Sequence, residues 1–347
     1  MQNHVKRKNL VIFDMDGVLI DVSKSYREAV RQTATFFFNS AKASEQLPKP
    51  LFPLSDLARL KQSGGLNNDW DLTCLVISLL FAVLPSAPPV LPKQRCKDAW
   101  QTYIQTIQNT DVTLLAQYLK AHSYPLTSLL ADKGKQINAF IGSLYIGDVG
   151  RGNVIKQIFQ EIYLGAELFK ATYCLDARIW HDEGLINRET VLFDPEILGR
   201  LAQNNILAIA TGRPAAEAAY PLDHFDLHKY FATVYTLDDC LEAERIIFER
   251  EGRTVSLSKP SPYMLDIIAH AFFPKNCVQD EVGHCYYIGD MPDDMVAALH
   301  AELDFIGIGA IFNSPDKFRQ KAELRRNGAD YIIEKANELT DIIEAKK

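Results

Sequence analysis

Five short apolar runs constrain this chain more than any other feature. They are residues 9–14 (NLVIFD), 205–211 (NILAIAT), 285–290 (CYYIGD), 303–310 (LDFIGIGA) and 330–334 (DYIIE). Each is rich in β-branched or aromatic residues and bounded by polar residues or Gly, the pattern of strands buried on both faces of a parallel sheet. Helical periodicity over 194–204, 214–222, 261–272 and 292–301 separates most of them. Strands alternating with helices specify an α/β fold, a doubly wound parallel sheet of Rossmann-like type with right-handed crossovers.

The stretch between the first two runs has a different texture. Helices are expected at 25–38, 72–84, 93–108, 112–121 and 154–168, strand patterns are scarce, and two Pro-rich breaks (48–53, PKPLFP; 85–92, PSAPPVLP) punctuate the helices. The simplest organisation is a core made of 1–21 and 190–347, with a large helical domain, 22–189, inserted soon after the first strand. At 347 residues, about two domains of ~150 residues each are expected.

In an open parallel sheet, ligands bind beyond the carboxyl ends of the strands. Three of the expected strands end in Asp14, Thr211 and Asp290, and Lys259 precedes Pro260 at the start of a helix. Two carboxylates, a hydroxyl and a cation are thus directed to one edge. Asp14-Met15-Asp16-Gly17 puts a carboxylate at a strand tip and a second one two residues on, where Gly17 lets the chain turn at positive φ. Taken singly, each element has a plain alternative: a solvated Asp-Gly turn, Thr211 as a helix cap before Pro214, Lys259 as a loop lysine, Asp293 and Asp294 as caps of the next helix.

Asp14-Met15-Asp16-Gly17-Val18 resembles the first motif of the haloacid dehalogenase (HAD) superfamily. Ala210-Thr211-Gly212-Arg213 resembles its second, Lys259-Pro260-Ser261-Pro262 its third, and Ile288-Gly289-Asp290-Met291-Pro292-Asp293-Asp294 its fourth, all in the family's order. The resemblance covers roughly 1–20 and 190–347. It implies a phosphatase of subfamily I with a helical C1 cap, acting through an aspartyl-phosphate. In that reading Asp14 is the nucleophile, and Asp16 protonates the leaving oxygen and then deprotonates water. Mg²⁺ is held by Asp14, the Asp16 carbonyl and Asp290, with Asp294 as a further ligand or one layer out, and Asp293 solvated. Lys259 and Thr211 contact the phosphoryl oxygens. An acid at position 16 also favours phosphoryl transfer, since the superfamily's dehalogenases lack one there.

The resemblance makes the insert a substrate-selecting cap, longer than most, its extra helices either an elaboration or a homodimer surface. Arg27 or Tyr26 follows the nucleophile strand closely enough to enter the cleft. The 61–70 stretch (KQSGGLNNDW) offers Asn67, Asn68 and Trp70 to a sugar or polyol, and Gly212 and Arg213 are further expected substrate contacts.

Composition narrows the partners. A formal net charge of −7 and 47% hydrophobic residues describe a soluble chain without the basic footprint of a nucleic-acid binder. The longest near-apolar run, 72–84, is too short to span a bilayer, and no signal peptide is expected from the first residues. Six cysteines without a C-x-x-C pair point to free thiols in a reducing compartment, so a cytoplasmic protein is expected. The leading function is a Mg²⁺-dependent phosphatase acting on a small phosphate ester of the sugar or polyol class. A sugar phosphomutase of the same superfamily and a non-catalytic HAD-fold binding protein are the alternatives.

Overall fold

A computed structural model describes residues 8–61, 68–85, 99–273, 283–314 and 316–345. The chain forms two compact units, Met1–Asp21 with Thr190–Lys347, and Val22–Glu189.

The discontinuous unit carries the strands. In chain order they are β1 (Asn9–Phe13), β2 (Ile20–Asp21), β3 (Thr190–Val191), β4 (Asn205–Ala210), β5 (Thr233–Tyr235), β6 (Cys285–Gly289), β7 (Phe305–Ala310) and β8 (Tyr331–Ile333). Six form one sheet in the order β5-β4-β1-β6-β7-β8, every pair parallel. Numbered among themselves, these strands run 3-2-1-4-5-6, so the winding reverses direction between β1 and β6, where the crevice of such a sheet opens. β1 and β6 are buried throughout, which is why both read as unbroken apolar runs. At the opposite edge of the sheet, buried Asn9 donates to Asn205 Oδ1 (3.1 Å) and accepts from the His284 amide (3.0 Å), tying the starts of β1, β4 and β6 together. β2 and β3 pair antiparallel as a separate two-residue ribbon.

The insert is helical: α1 (Tyr26–Phe38), α2 (Leu54–Lys61), α3 (Asp69–Phe81), α4 (Ala99–Asn109), α5 (Thr113–Ala121), α6 (Pro125–Lys133), α7 (Ala139–Ser143) and α8 (Val154–Tyr173). From Leu72 to Phe81 every residue of α3 is buried, which explains an apolar run without helical alternation. Phe37, Phe38, Phe81 and Tyr103 pack as an aromatic cluster, with centroids 4.9–6.2 Å apart. Buried Asp56 accepts from the amides of Leu126 (2.7 Å) and Thr127 (3.1 Å), supplying the cap that α6 lacks locally. Buried Glu161 does the same for the 178–179 turn, whose two amides donate to Oε2 at 2.8 Å. α8 breaks at Gly165 (φ 76°), where a Cβ would sit 2.9 Å from the Glu183 carbonyl carbon.

Helices α9 (Pro195–Asn204), α10 (Ala215–His224), α11 (Leu237–Glu251), α12 (Tyr263–Phe272), α13 (Pro292–His300), α14 (Lys317–Arg326) and α15 (Asn337–Glu344) complete the first unit. No helix among the described residues is long and apolar enough to cross a membrane.

Candidate active site

The acids expected at strand tips do gather at the switch point. Asp14 directly follows β1, and its amide donates to the Ile288 carbonyl of β6 (2.8 Å), so the sheet ladder itself fixes the backbone of residue 14. Beyond it the chain folds back in a tight turn. The Leu19 and Ile20 amides both donate to the Met15 carbonyl (2.9 Å each), and Gly17 takes φ +75°. A Cβ at Gly17 would lie 2.7 Å from Asp290 Cγ, so the turn passes close to the fourth motif because residue 17 has no side chain. A Cβ at Gly289 would likewise overlap the side chain of Asp294.

Lys259 joins the acids. Its Nζ lies 2.7 Å from Asp14 Oδ1 and 2.9 Å from Asp294 Oδ1. Asp294 is 1% exposed and fully committed to neighbours: Oδ1 also accepts from the Tyr287 hydroxyl (2.8 Å) and Oδ2 from the Met291 amide (2.9 Å). It is therefore both the cap of α13 and the second anchor of Lys259. Burial pushes the Asp14 carboxyl up to about 7; Lys259 opposes that rise, and Asp294 and Asp16 add to it. Burial works to lower Lys259 as well, but Asp14 and Asp294 overcome it and hold the ammonium well above its ordinary value.

One carboxylate oxygen from each of Asp14, Asp290 and Asp294 falls within 4.8 Å of the others. Three carboxylates against one ammonium leave two formal negative charges, and the donors are hard oxygens. That donor set fits a divalent cation of the Mg²⁺ kind. Gln320 steadies the motif from α14 by donating to the Asp290 carbonyl (2.7 Å).

Thr211 directly follows β4, 1% exposed, its amide held by the Tyr235 carbonyl of β5 (2.9 Å). Its Oγ1 accepts the Arg213 amide (3.2 Å), so that amide is turned onto Thr211 rather than outward. Gly212 is exposed, with open space where a side chain would stand. Arg213, expected as a substrate contact, is instead 2% exposed and paired with Asp16: Nε lies 2.7 Å and Nη2 2.6 Å from Asp16 Oδ1.

The expected cap contacts belong to the other unit. Arg27 is half-buried on α1. Asn68, expected to touch substrate, is the N-cap of α3; its Oδ1 accepts from the Asp71 amide and its Nδ2 donates to Asp71 Oδ2, both at 2.7 Å. Trp70 is half-buried, with Lys156 Nζ 4.0 Å from its ring centroid. Asn67 lies outside the described residues.

Three residues of the site escaped the sequence reading: Tyr287, Gln320 and, as a partner of Asp16, Arg213. Only Tyr287 carried a signal, since a tyrosine in a strand buried on both faces needs a partner for its hydroxyl.

Known proteins share the fold on which this site is built. The chain resembles the X-ray structure of Northeast Structural Genomics Consortium target ZR25 over 97% of its own length and 98% of that chain, with a TM-score of 0.62 and 20% identity, a likeness of fold. It also aligns with phosphatase Tt82 from Thermococcus thioreducens, covering 86% of this chain and 92% of that one, at 19% identity and a TM-score of 0.48. Among curated proteins, 63 residues are 38% identical to an imidazoleglycerol-phosphate dehydratase of Phytophthora nicotianae, 18% of this chain and 12% of that protein's length. The haloacid dehalogenase-like hydrolase family matches residues 8–302. A match over most of its length, on a parallel sheet with its acids at the switch point, makes this chain a member of the haloacid dehalogenase-like hydrolase family.

Proposed function

We propose that this hydrolase is a cytoplasmic, Mg²⁺-dependent phosphatase that cleaves a small phosphate ester of the sugar or polyol class through an aspartyl-phosphate on Asp14. The observation that carries the reading is the meeting of Asp14, Lys259, Asp290 and Asp294 where the sheet reverses its winding. Asp14 attacks phosphorus in line, and the bond to the leaving oxygen breaks as Asp16 protonates that oxygen. Asp16 then takes a proton from water, whose oxygen displaces the Asp14 carboxylate and regenerates it.

Lys259 serves two ends: it orients the nucleophile and offers positive charge to the phosphoryl oxygens, with Thr211 beside them. Asp14, the Asp16 carbonyl and Asp290 would hold Mg²⁺, with Asp294 fixing Lys259 from behind; the cation supplies charge neutralisation for the transferring group. Residues 1–21 and 190–347 form the catalytic core in this reading, and 22–189 the substrate-selecting cap. Gly212, with open space at its Cα, is the core residue offered to the organic part of the ester.

The test is phosphate release over a panel of phosphorylated metabolites, with and without EDTA. Mg²⁺-dependent release that disappears in Asp14→Asn is expected. Hydrolysis indifferent to chelation, or full activity in that variant, contradicts the reading.

A further inference from the structure

We propose that Arg213 is a positioning residue for Asp16: its buried guanidinium holds Oδ1 through the Nε hydrogen bond and the adjacent charge of Nη2, and leaves Oδ2 as the oxygen that gives and takes the proton. This rests on the phosphatase reading above and adds to it a residue that touches neither substrate nor metal.

The geometry is one of a buried anchor and an exposed tip. The Arg213 side chain is 1% exposed, and that of Asp16 is 28% exposed. Nε donates to Oδ1 at 2.7 Å, and Nη2 lies 2.6 Å from the same oxygen as an ion-pair contact without the alignment of a hydrogen bond, so both contacts are to Oδ1. A guanidinium buried to this degree is not a binding group for an incoming phosphate.

The arginine is itself held at both ends. Nη1 donates to the Glu217 carbonyl (3.2 Å), the Arg213 amide donates to Thr211 Oγ1 (3.2 Å), and its carbonyl accepts from the Leu237 amide (2.9 Å). A planar fork pinned in this way loses little further freedom on gripping a carboxylate. Asp16 needs such a grip because it sits in the 15–20 turn rather than on the strand, and a catalytic group displaced by ~1 Å can cost ~10²-fold.

In the first step Asp14 bonds to phosphorus, the ester P–O pair leaves with the organic oxygen, and that oxygen takes the proton from Asp16 Oδ2. In the second, the water oxygen bonds to phosphorus, the Asp14–phosphorus bond breaks to release the carboxylate, and Oδ2 recovers a proton from that water. Throughout, Arg213 keeps Oδ1 in one place.

A series of phenyl phosphates running from p-nitrophenyl to p-methoxyphenyl phosphate separates this role from a structural one. A leaving group that departs as a stable phenolate needs little help from an acid. kcat/KM, which reports events up to the first phosphoryl transfer, should therefore fall within ~3-fold on p-nitrophenyl phosphate but ~10²-fold on p-methoxyphenyl phosphate in Arg213→Gln. Arg213→Lys, which keeps the charge but not the fork, should show an intermediate steepening, and it carries the test if the glutamine variant does not fold. In an Asp16→Asn background, Arg213→Gln should cost less than ~3-fold more, because the two act as one unit. An equal loss on every leaving group, or full additivity with Asp16→Asn, overturns the positioning role and leaves the phosphatase reading standing. No phosphate release by the unsubstituted protein from any of the series overturns both.

Discussion

Among the described residues, the buried carboxylates of the helical unit at Asp56 and Glu161 keep different company from those around Lys259 in the sheet unit. In the helical unit, Asp56 and Glu161 are fully buried, and neutral donors close both. Asp56 accepts from two amides and the Thr127 hydroxyl; Glu161 accepts from the Arg178 and Ile179 amides and the Gln157 carboxamide (2.9 Å). In the sheet unit, Asp14 and Asp294 crowd around the single ammonium of Lys259, with Asp290 close by. The first arrangement spends a carboxylate on holding loops and helix ends together. The second gathers more negative charge than its lysine balances, which suits the cation and phosphoryl group of the proposed function. Burial alone does not distinguish the two; the donors do.

If that distinction is right, substitutions should split cleanly into those that cost activity and those that cost stability. The largest effect falls on the proposed nucleophile. Asp14→Asn should lower turnover by ~10⁴-fold or more, the scale on which nucleophiles are lost elsewhere. The melting temperature should hold or rise, since one of the crowded charges is gone. Phosphate release and a thermal melt on the same preparation measure both.

Glu161→Ala should do the reverse. Orphaning the amides of residues 178 and 179 and the Gln157 carboxamide costs ~3 kcal/mol in a urea titration, at ~1 kcal/mol for each group. kcat per folded molecule should stay within about twofold at 25 °C, a bound of ~0.4 kcal/mol on the barrier. Next in size is the response to metal. Mg²⁺ at ~100-fold over its dissociation constant should add ~2.7 kcal/mol to stability. The gain should vanish in Asp290→Asn and persist in Glu161→Ala. Smallest is Asp56→Ala, which orphans the Leu126 and Thr127 amides for ~2 kcal/mol, at ~1 kcal/mol each, with activity untouched. A Glu161 variant that folds well but turns over poorly would break the comparison.

What the sequence disclosed follows the same physics. β1, β4, β6 and β7 were legible because strands buried largely on both faces must be apolar, and β8, a short edge strand, because Tyr331, Ile332 and Ile333 form an unbroken apolar run. β5 was not: Thr233–Tyr235 is three half-buried residues on the sheet's edge, too short for a pattern. Among the inserted helices, α7 has five residues and α6 takes its cap from Asp56, 70 positions away, so local signals were thin. At the site, acids at strand tips are a one-dimensional signal and were found. The Arg213 fork onto Asp16 spans 197 positions, and the Gln320 contact to the Asp290 carbonyl joins two different elements. Nothing in the local sequence distinguishes a buried arginine that holds a carboxylate from an exposed one that meets substrate. Asn68 misled in a related way, since Asn before an acidic first turn is a helix cap as readily as a ligand for a polyol.

The central claim is that Asp14 carries the phosphoryl group. Quenching the enzyme during turnover, reducing the acyl phosphate with borohydride and reading the peptide that spans residues 9–21 by mass spectrometry tests it directly. Conversion of Asp14 to homoserine, absent without substrate, is the result expected. An unmodified Asp14 in an enzyme caught at full turnover would contradict it.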